Sequence, residues 1–127
     1  MKPCVFITGG AGFIGFHLAN HFLSHRWRVI ILDNLLRWGV AGNLAELRSN
    51  KNLEVISGDV SSPEDLVRGF SKAPGRTDLV IHLASEATVA DSIKDPRKNF
   101  DVNLRGTFEL LEAMRKRPKI KRPRLFI

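Results

Sequence analysis

The chain of 127 residues has no tyrosine and a single cysteine, Cys4. Without a second thiol no internal disulfide can close, and Cys4, heading an apolar run, reads as a small buried hydrophobe. Without a phenol, no tyrosine here can serve as a general acid or base. No apolar stretch reaches the roughly 18–20 residues that a membrane helix needs. The N-terminal apolar run breaks at Gly9 and Gly10, so neither a span nor a signal peptide is expected, and a cytoplasmic location fits the lone cysteine. A metal-ligand cluster is lacking too. His17, His21 and His25 recur every four residues, but no cysteine or carboxylate shares their spacing, so no metal site is expected.

Acidic residues are absent from the stretch 115–124, where Arg115, Lys116, Arg117, Lys119, Lys121, Arg122 and Arg124 account for the whole net charge of +7. Pro118 and Pro123 mark a loop leaving a helix, whose C-terminal dipole end favours cations. No aromatic residue interleaves the cations, so base stacking has no platform and a solvated surface turn is expected in place of a nucleic-acid surface.

What is present is the composition of one soluble globular domain, 43% hydrophobic and 26% charged. The most informative segment is Thr8-Gly9-Gly10-Ala11-Gly12-Phe13-Ile14-Gly15, three glycines at a three-residue period directly after the apolar run 5–7. Gly9 suits the tight turn out of a strand, Gly12 leaves room for a pyrophosphate, and Gly15 lets the following helix pack closely. The helix start then offers unpaired N–H groups and a positive dipole end to phosphates. Ile14, Leu18, Phe22 and Leu23 follow at helical spacing, and a second apolar run, 27–32, ends at Asp33, 18 residues past Gly15. A carboxylate there accepts from ribose hydroxyls and repels a 2′-phosphate, which favours NAD over NADP.

The pattern then continues in kind without repeating in sequence. A helix is predicted over 41–49 with Leu44 and Leu47 inward, and a strand over 53–56. Ser62-Pro63-Glu64-Asp65 supplies a capping hydroxyl, an N1 proline and first-turn acids to a helix carrying Leu66, Val67 and Phe70. The run 79–83 reads as a strand covered on both faces, near the sheet centre. A long helix over 96–116 is predicted to bury Phe100, Asn103, Leu104, Thr107, Phe108, Leu110, Leu111 and Met114 as one broad stripe. Residues 125–127 read as the opening of a fifth strand. The fold expected is α/β, a Rossmann-type doubly wound parallel sheet truncated at the start of strand 5. Because an abandoned central strand exposes unpaired backbone, residues 1–127 are expected to be the N-terminal cofactor-binding portion of a longer protein, or a module whose sheet a partner completes. His82 reads as a packed, hydrogen-bonded imidazole, Trp27 as core, and Trp38 as a loop residue able to cover an adenosine.

With these residues in hand, the chain resembles the extended short-chain dehydrogenase/reductase family, the NAD-dependent nucleotide-sugar epimerases and dehydratases. The resemblance spans the whole chain. Besides 8–15 it rests on Asp33-Asn34-Leu35, Gly58-Asp59-Val60, His82-Leu83-Ala84-Ser85 and Asn103-Leu104-Arg105-Gly106-Thr107. It implies that Gly9, Gly12, Phe13, Ile14 and Gly15 meet the pyrophosphate and that Asp33 and Asn34 hold the adenosine ribose. Asp59 and Val60 would frame the adenine, Leu83, Ala84 and Ser85 would pack under the cofactor beyond the fourth strand, and Asn103 would support the active site. Within the family, Asp33-Asn34-Leu35-Leu36-Arg37-Trp38-Gly39, with Asn43-Leu44 following, is similar to CDP-paratose/CDP-tyvelose 2-epimerases, although Leu36 stands where they have Ser and Glu86 where they often have Gln.

The departures are as informative. The Ser or Thr beyond the fifth strand and the Tyr-x-x-x-Lys pair of the family are not among these residues, so the resemblance implies a cofactor-binding portion that is inactive alone. The complete enzyme would act on a nucleotide sugar by transient hydride transfer, with a homodimer common in the family. The other reading from the residues is a non-catalytic nucleotide-binding or sensor module that is complete at 127 residues.

Overall fold

The computed structural model describes residues 1–73, 75–119 and 122–127. Five parallel strands lie in the order β3-β2-β1-β4-β5: β1 Cys4–Thr8, β2 Arg28–Asp33, β3 Leu53–Ser57, β4 Leu79–His82 and β5 Arg124–Phe126. Phe6 lies opposite Ile30 on one side and Val80 on the other, which sets the register of the three inner strands. The helices are α1 Phe13–Ser24, α2 Val40–Leu47, α3 Pro63–Ser71, α4 Val89–Lys94, α5 Pro96–Phe100 and α6 Gly106–Arg115, with a π-helical segment, Asp101–Arg105, joining the last two. This is the Rossmann-type, doubly wound sheet expected from the sequence.

The strands are apolar on both faces because helices cover both. Side chains alternate across the sheet, so Phe6, Ile30, Leu32, Ile56 and Val80 face Leu66 and Phe70 of α3 and Leu110 and Met114 of α6. Val5, Ile7, Val29, Ile31 and Ile81 face Ala19 and Leu23 of α1 and Leu44 and Leu47 of α2. Trp27 packs, half-buried, against this second face. Cys4 is buried as expected, and burial pushes its thiol up to about 11, well away from the reactive range. The cap on α3 also forms as the sequence implies: the Ser62 hydroxyl accepts from the Asp65 N–H. Val67, however, points outward at 65% exposure.

Along α1, Gly15, Ala19 and Leu23 form the buried edge, and Ile14, expected at the pyrophosphate, is exposed. One expectation about a helix face fails. On the long helix the broad stripe divides. Gly106, Leu110 and Met114 are buried and Asn103 and Thr107 half-buried, while Phe100, Leu104, Phe108 and Leu111 stand exposed. The spacing shows why: residues 103, 107, 110 and 114 form one helix face and 104, 108 and 111 the adjacent one, and only the first is turned inward.

Three cations of the basic stretch find partners within the fold. Arg115 donates two N–H groups to Glu112, at 2.7 and 2.9 Å. Arg122 donates to the backbone carbonyls of Arg115 and Arg117, at 2.7 and 3.3 Å, and so caps the end of α6. The Arg117 guanidinium lies 4.9 Å from the centre of the Phe70 ring. Lys121 lies outside the described residues. Among the described residues no helix is long and apolar enough to cross a membrane, and no cluster of side chains could hold a metal ion.

Candidate functional site

Where parallel strands end at their carboxyl edge, helices begin, and the crevice between them collects polar backbone. Here that edge carries a groove of about 1070 Å³, ample for a dinucleotide. Gly9, Gly12, Phe13, Ile14 and Gly15 line it from the turn between β1 and α1, and Asp33 and Asn34 from the end of β2. Asp59 and Val60 enter from beyond β3, Leu83, Ala84 and Ser85 from beyond β4, and Asn103 from the π segment. All the candidates named from the sequence therefore meet on one surface. Trp38, fully exposed, stands on the same rim.

The glycines divide by what surrounds them. At Gly9 the backbone is left-handed, φ +67°, and a Cβ would sit 2.7 Å from the Ala84 nitrogen, so the turn is pressed against the loop beyond β4. At Gly15 a Cβ would sit 2.5 Å from the Gly10 Cα, so the first turn of α1 packs on the glycine loop itself. Gly12 differs from both. Its φ of −69° suits any residue, and a Cβ would meet nothing closer than the Gly9 carbonyl oxygen at 3.4 Å. The missing side chain there serves neither the backbone nor the interior; it keeps the groove clear. Gly12 also brings no side-chain cap to α1, which leaves first-turn N–H groups for an anion.

Asp33 shapes the opposite wall. One carboxylate oxygen accepts from the Ala11 N–H at 3.1 Å and the other from the Leu35 N–H at 2.8 Å. Each oxygen keeps a further lone pair for a ribose hydroxyl. The second bond holds Leu35 at φ +62°, a left-handed conformation costly for a branched side chain. Asn34 and Asp59 stand exposed beside it. Asn34 accepts from the Leu36 N–H at 3.1 Å, and Asp59 accepts from both the N–H and the hydroxyl of Ser61 at 2.8 Å.

The β4 side is locked by a hydrogen-bonded chain centred on His82, which is buried. The Thr107 hydroxyl donates to the Asn103 carbonyl at 2.7 Å, so it accepts from the Nε2–H of His82 at 2.9 Å. Nδ1 then accepts from the Thr8 hydroxyl at 2.6 Å, and the Thr8 oxygen accepts the Ala84 N–H at 3.3 Å. This donor order assigns a neutral imidazole, the packed histidine expected from the sequence. Next to it, the Asn103 amide pairs with both sides of one residue, accepting from the Glu86 N–H at 2.8 Å and donating to its carbonyl at 3.0 Å. Glu86 in turn pairs with Lys98 at 3.2 Å.

Three participants escaped the sequence reading. Gly10 lies against Ile31 with no room for a Cβ. Asn43 donates from α2 to the Ala11 carbonyl at 3.0 Å, and Arg37 donates to the Ser85 carbonyl at 2.9 Å. Both polar contacts join segments more than thirty residues apart, so no local pattern announces them.

The family model for GDP-mannose 4,6-dehydratase matches residues 6–127. CDP-paratose 2-epimerase of Salmonella typhi is 40% identical over 109 residues, covering 86% of this chain and 32% of that protein. A bifunctional UDP-glucose 4-epimerase and UDP-xylose 4-epimerase of Pisum sativum is 38% identical over 122 residues, 88% of this chain and 33% of its own length. Among solved structures, UDP-glucose 4-epimerase of Thermus thermophilus in complex with NAD superimposes with a TM-score of 0.75 at 36% identity, over 89% of this chain and 34% of that one. The chain thus spans about a third of the length of the relatives it matches.

The contrast between the glycines is open to direct test. Gly12→Ala should leave stability within about 0.5 kcal/mol of the parent yet weaken binding of a dinucleotide at least roughly tenfold, whereas Gly15→Ala should cost about 1–3 kcal/mol by overpacking. Urea denaturation beside calorimetric titration separates the two, and a Gly12 variant that binds normally would contradict the open-cradle account. A second prediction concerns acidity. Burial holds the His82 pKa below its ordinary 6.5, so the unfolded chain binds more protons once the pH falls below that value. Stability is then full above about pH 6.5 and declines through the window between the unfolded and folded pKa values. Thermal melts between about pH 7.5 and 5 should show a steeper loss for the parent than for His82→Gln; parallel curves would refute this.

Proposed function

The chain belongs to the GDP-mannose 4,6-dehydratase family of extended short-chain dehydrogenases/reductases, and from that premise we propose that it is the NAD-binding portion of a nucleotide-sugar epimerase or dehydratase. The observation that carries the proposal is the pairing of an uncapped helix start, kept open by Gly12, with a half-buried Asp33 carboxylate on the facing wall of one groove. The residues present fit the cofactor. First-turn amides of α1 at Phe13, Ile14 and Gly15 would receive the diphosphate, and Asp33 and Asn34 the adenosine ribose. Asp59 and Val60 would frame the adenine. Leu83, Ala84 and Ser85 would support the cofactor beyond β4, with Asn103 ordering that loop through its two hydrogen bonds to Glu86.

Bound NAD would supply transient uptake and return of a hydride from the sugar. This chain's contribution is to bind, orient and hold. Its 127 residues include no tyrosine, so proton exchange with the sugar is assigned to groups outside them, in a longer enzyme of which residues 1–127 form the N-terminal cofactor-binding part. The loop Asp33–Gly39, together with the similarity to CDP-paratose 2-epimerase, favours a CDP-sugar among nucleotide sugars. The buried, unreactive Cys4 is compatible with a cytoplasmic setting. A non-catalytic nucleotide-binding module would share the groove and is told apart by whether, in the full-length protein, added nucleotide sugar reduces or reoxidises bound cofactor.

Calorimetric titration tests the cofactor assignment. NAD should bind at least roughly tenfold more tightly than NADP because Asp33 repels a 2′-phosphate, and Asp33→Ala should weaken NAD; equal affinity for the two dinucleotides would end the assignment. The proposal also includes a homodimer, for which the exposed apolar residues Phe100, Leu104, Phe108 and Leu111 form the available face. Sedimentation equilibrium should show a dimer that Phe108→Glu dissociates, and a monomeric parent would remove this part.

A further inference from the structure

Arg37 stands in the loop between β2 and α2, yet its guanidinium donates to the carbonyl oxygen of Ser85, beyond β4, at 2.9 Å. Between β2 and β4 the sheet places only β1, so the side chain crosses the carboxyl end of β1, where the glycine loop turns into α1. Both ends of the crossing line the groove. The charge is available as well as near. Of the two cations on the groove lining, Lys98 is paired with Glu86 at 3.2 Å, while Arg37 forms no ion pair with any carboxylate of the described residues. A guanidinium presents five donors in a planar fork suited to phosphate oxygens, and the Ser85 carbonyl engages one terminal nitrogen of that fork.

We infer that Arg37 is a diphosphate-binding residue of this groove: its guanidinium faces the anion from across the end of β1 while the first-turn amides of α1 receive the other side. The arrangement clamps the two negative charges between a helix N-terminus and a fixed side-chain cation. It also ties the adenosine wall to the loop Leu83–Ser85, so a ligand's diphosphate bridges the two halves of the groove through one residue. An arginine close behind the second strand could alternatively serve a 2′-phosphate. The structure argues against this, because the side chain is held at the Ser85 carbonyl, beyond β4.

This inference rests on the proposed dinucleotide site and is tested separately from it. Titrations of the parent, Arg37→Gln and Arg37→Lys are run with NAD, NADP, ADP-ribose and adenosine. Arg37→Gln should lose roughly ten- to a hundredfold affinity for NAD and ADP-ribose, the range of a charge-assisted hydrogen bond, with adenosine unchanged. Arg37→Lys should recover part of that loss, and the parent's NAD affinity should fall more steeply with salt than the Gln variant's. A loss confined to NADP would assign Arg37 to a 2′-phosphate and overturn the inference. Equal losses for adenosine and NAD would reduce it to a loop tether, and unchanged affinity for all four would also overturn it. If the parent binds no dinucleotide, the site proposal falls with it; if the parent binds and only the Arg37 results fail, the site proposal stands.

Discussion

The Ala11 peptide is the point on which the site depends. Its N–H is held by the Asp33 carboxylate at the end of β2, and its carbonyl by the Asn43 amide on α2. A glycine-rich turn has many conformations open to it in the unfolded chain, and fixing it costs more entropy than fixing any other sequence. Gripping one residue from both sides offsets that cost with two hydrogen bonds and sets where α1 starts. The same carboxylate bends the next loop by holding the Leu35 N–H. Asp33 is thus a structural anchor before it is a ligand-binding group, and each oxygen retains capacity for a hydroxyl.

A second constraint acts on the β4 side. The relay from Ala84 through Thr8, His82 and Thr107 to the Asn103 carbonyl joins two strands and the π segment through one neutral imidazole. Buried polar groups of this kind are tolerated when every donor and acceptor is used, and this chain runs in one direction without a clash of donors. The π turn places Asn103 beside Glu86 while keeping Thr107 under His82. Rigid walls on both sides of the groove result, one built around Asp33 and the other around His82.

Much of this was legible along the chain because the controlling patterns are local. Gly9, Gly12 and Gly15 follow a strand, Asp33 ends the next one, and Ser62 to Asp65 spell a helix cap; each depends on neighbours a few residues away. Helix faces near the groove were less legible. Phe100, Leu104, Phe108 and Leu111 share the apolar stripe of Leu110 and Met114 but are exposed, because the stripe is broader than the face that meets the sheet. Periodicity distinguishes apolar from polar faces but not an interior from a binding surface.

The amino-acid order by itself determined the alternation of strand and helix and the two-faced burial of the sheet, since propensity, capping and hydrophobic period act over short separations; of the groove residues it marked the glycines and Asp33, while Asp59, Leu83 to Ser85 and Asn103 were implied by the family resemblance. Tertiary structure alone decided what those residues touch. Arg37 reaches Ser85, Asn43 reaches Ala11 and Asn103 embraces Glu86 because a parallel sheet brings distant strand ends side by side. The physical reason is that hydrogen bonds and steric limits are set by distance in space, which a linear sequence does not state until the sheet order is fixed.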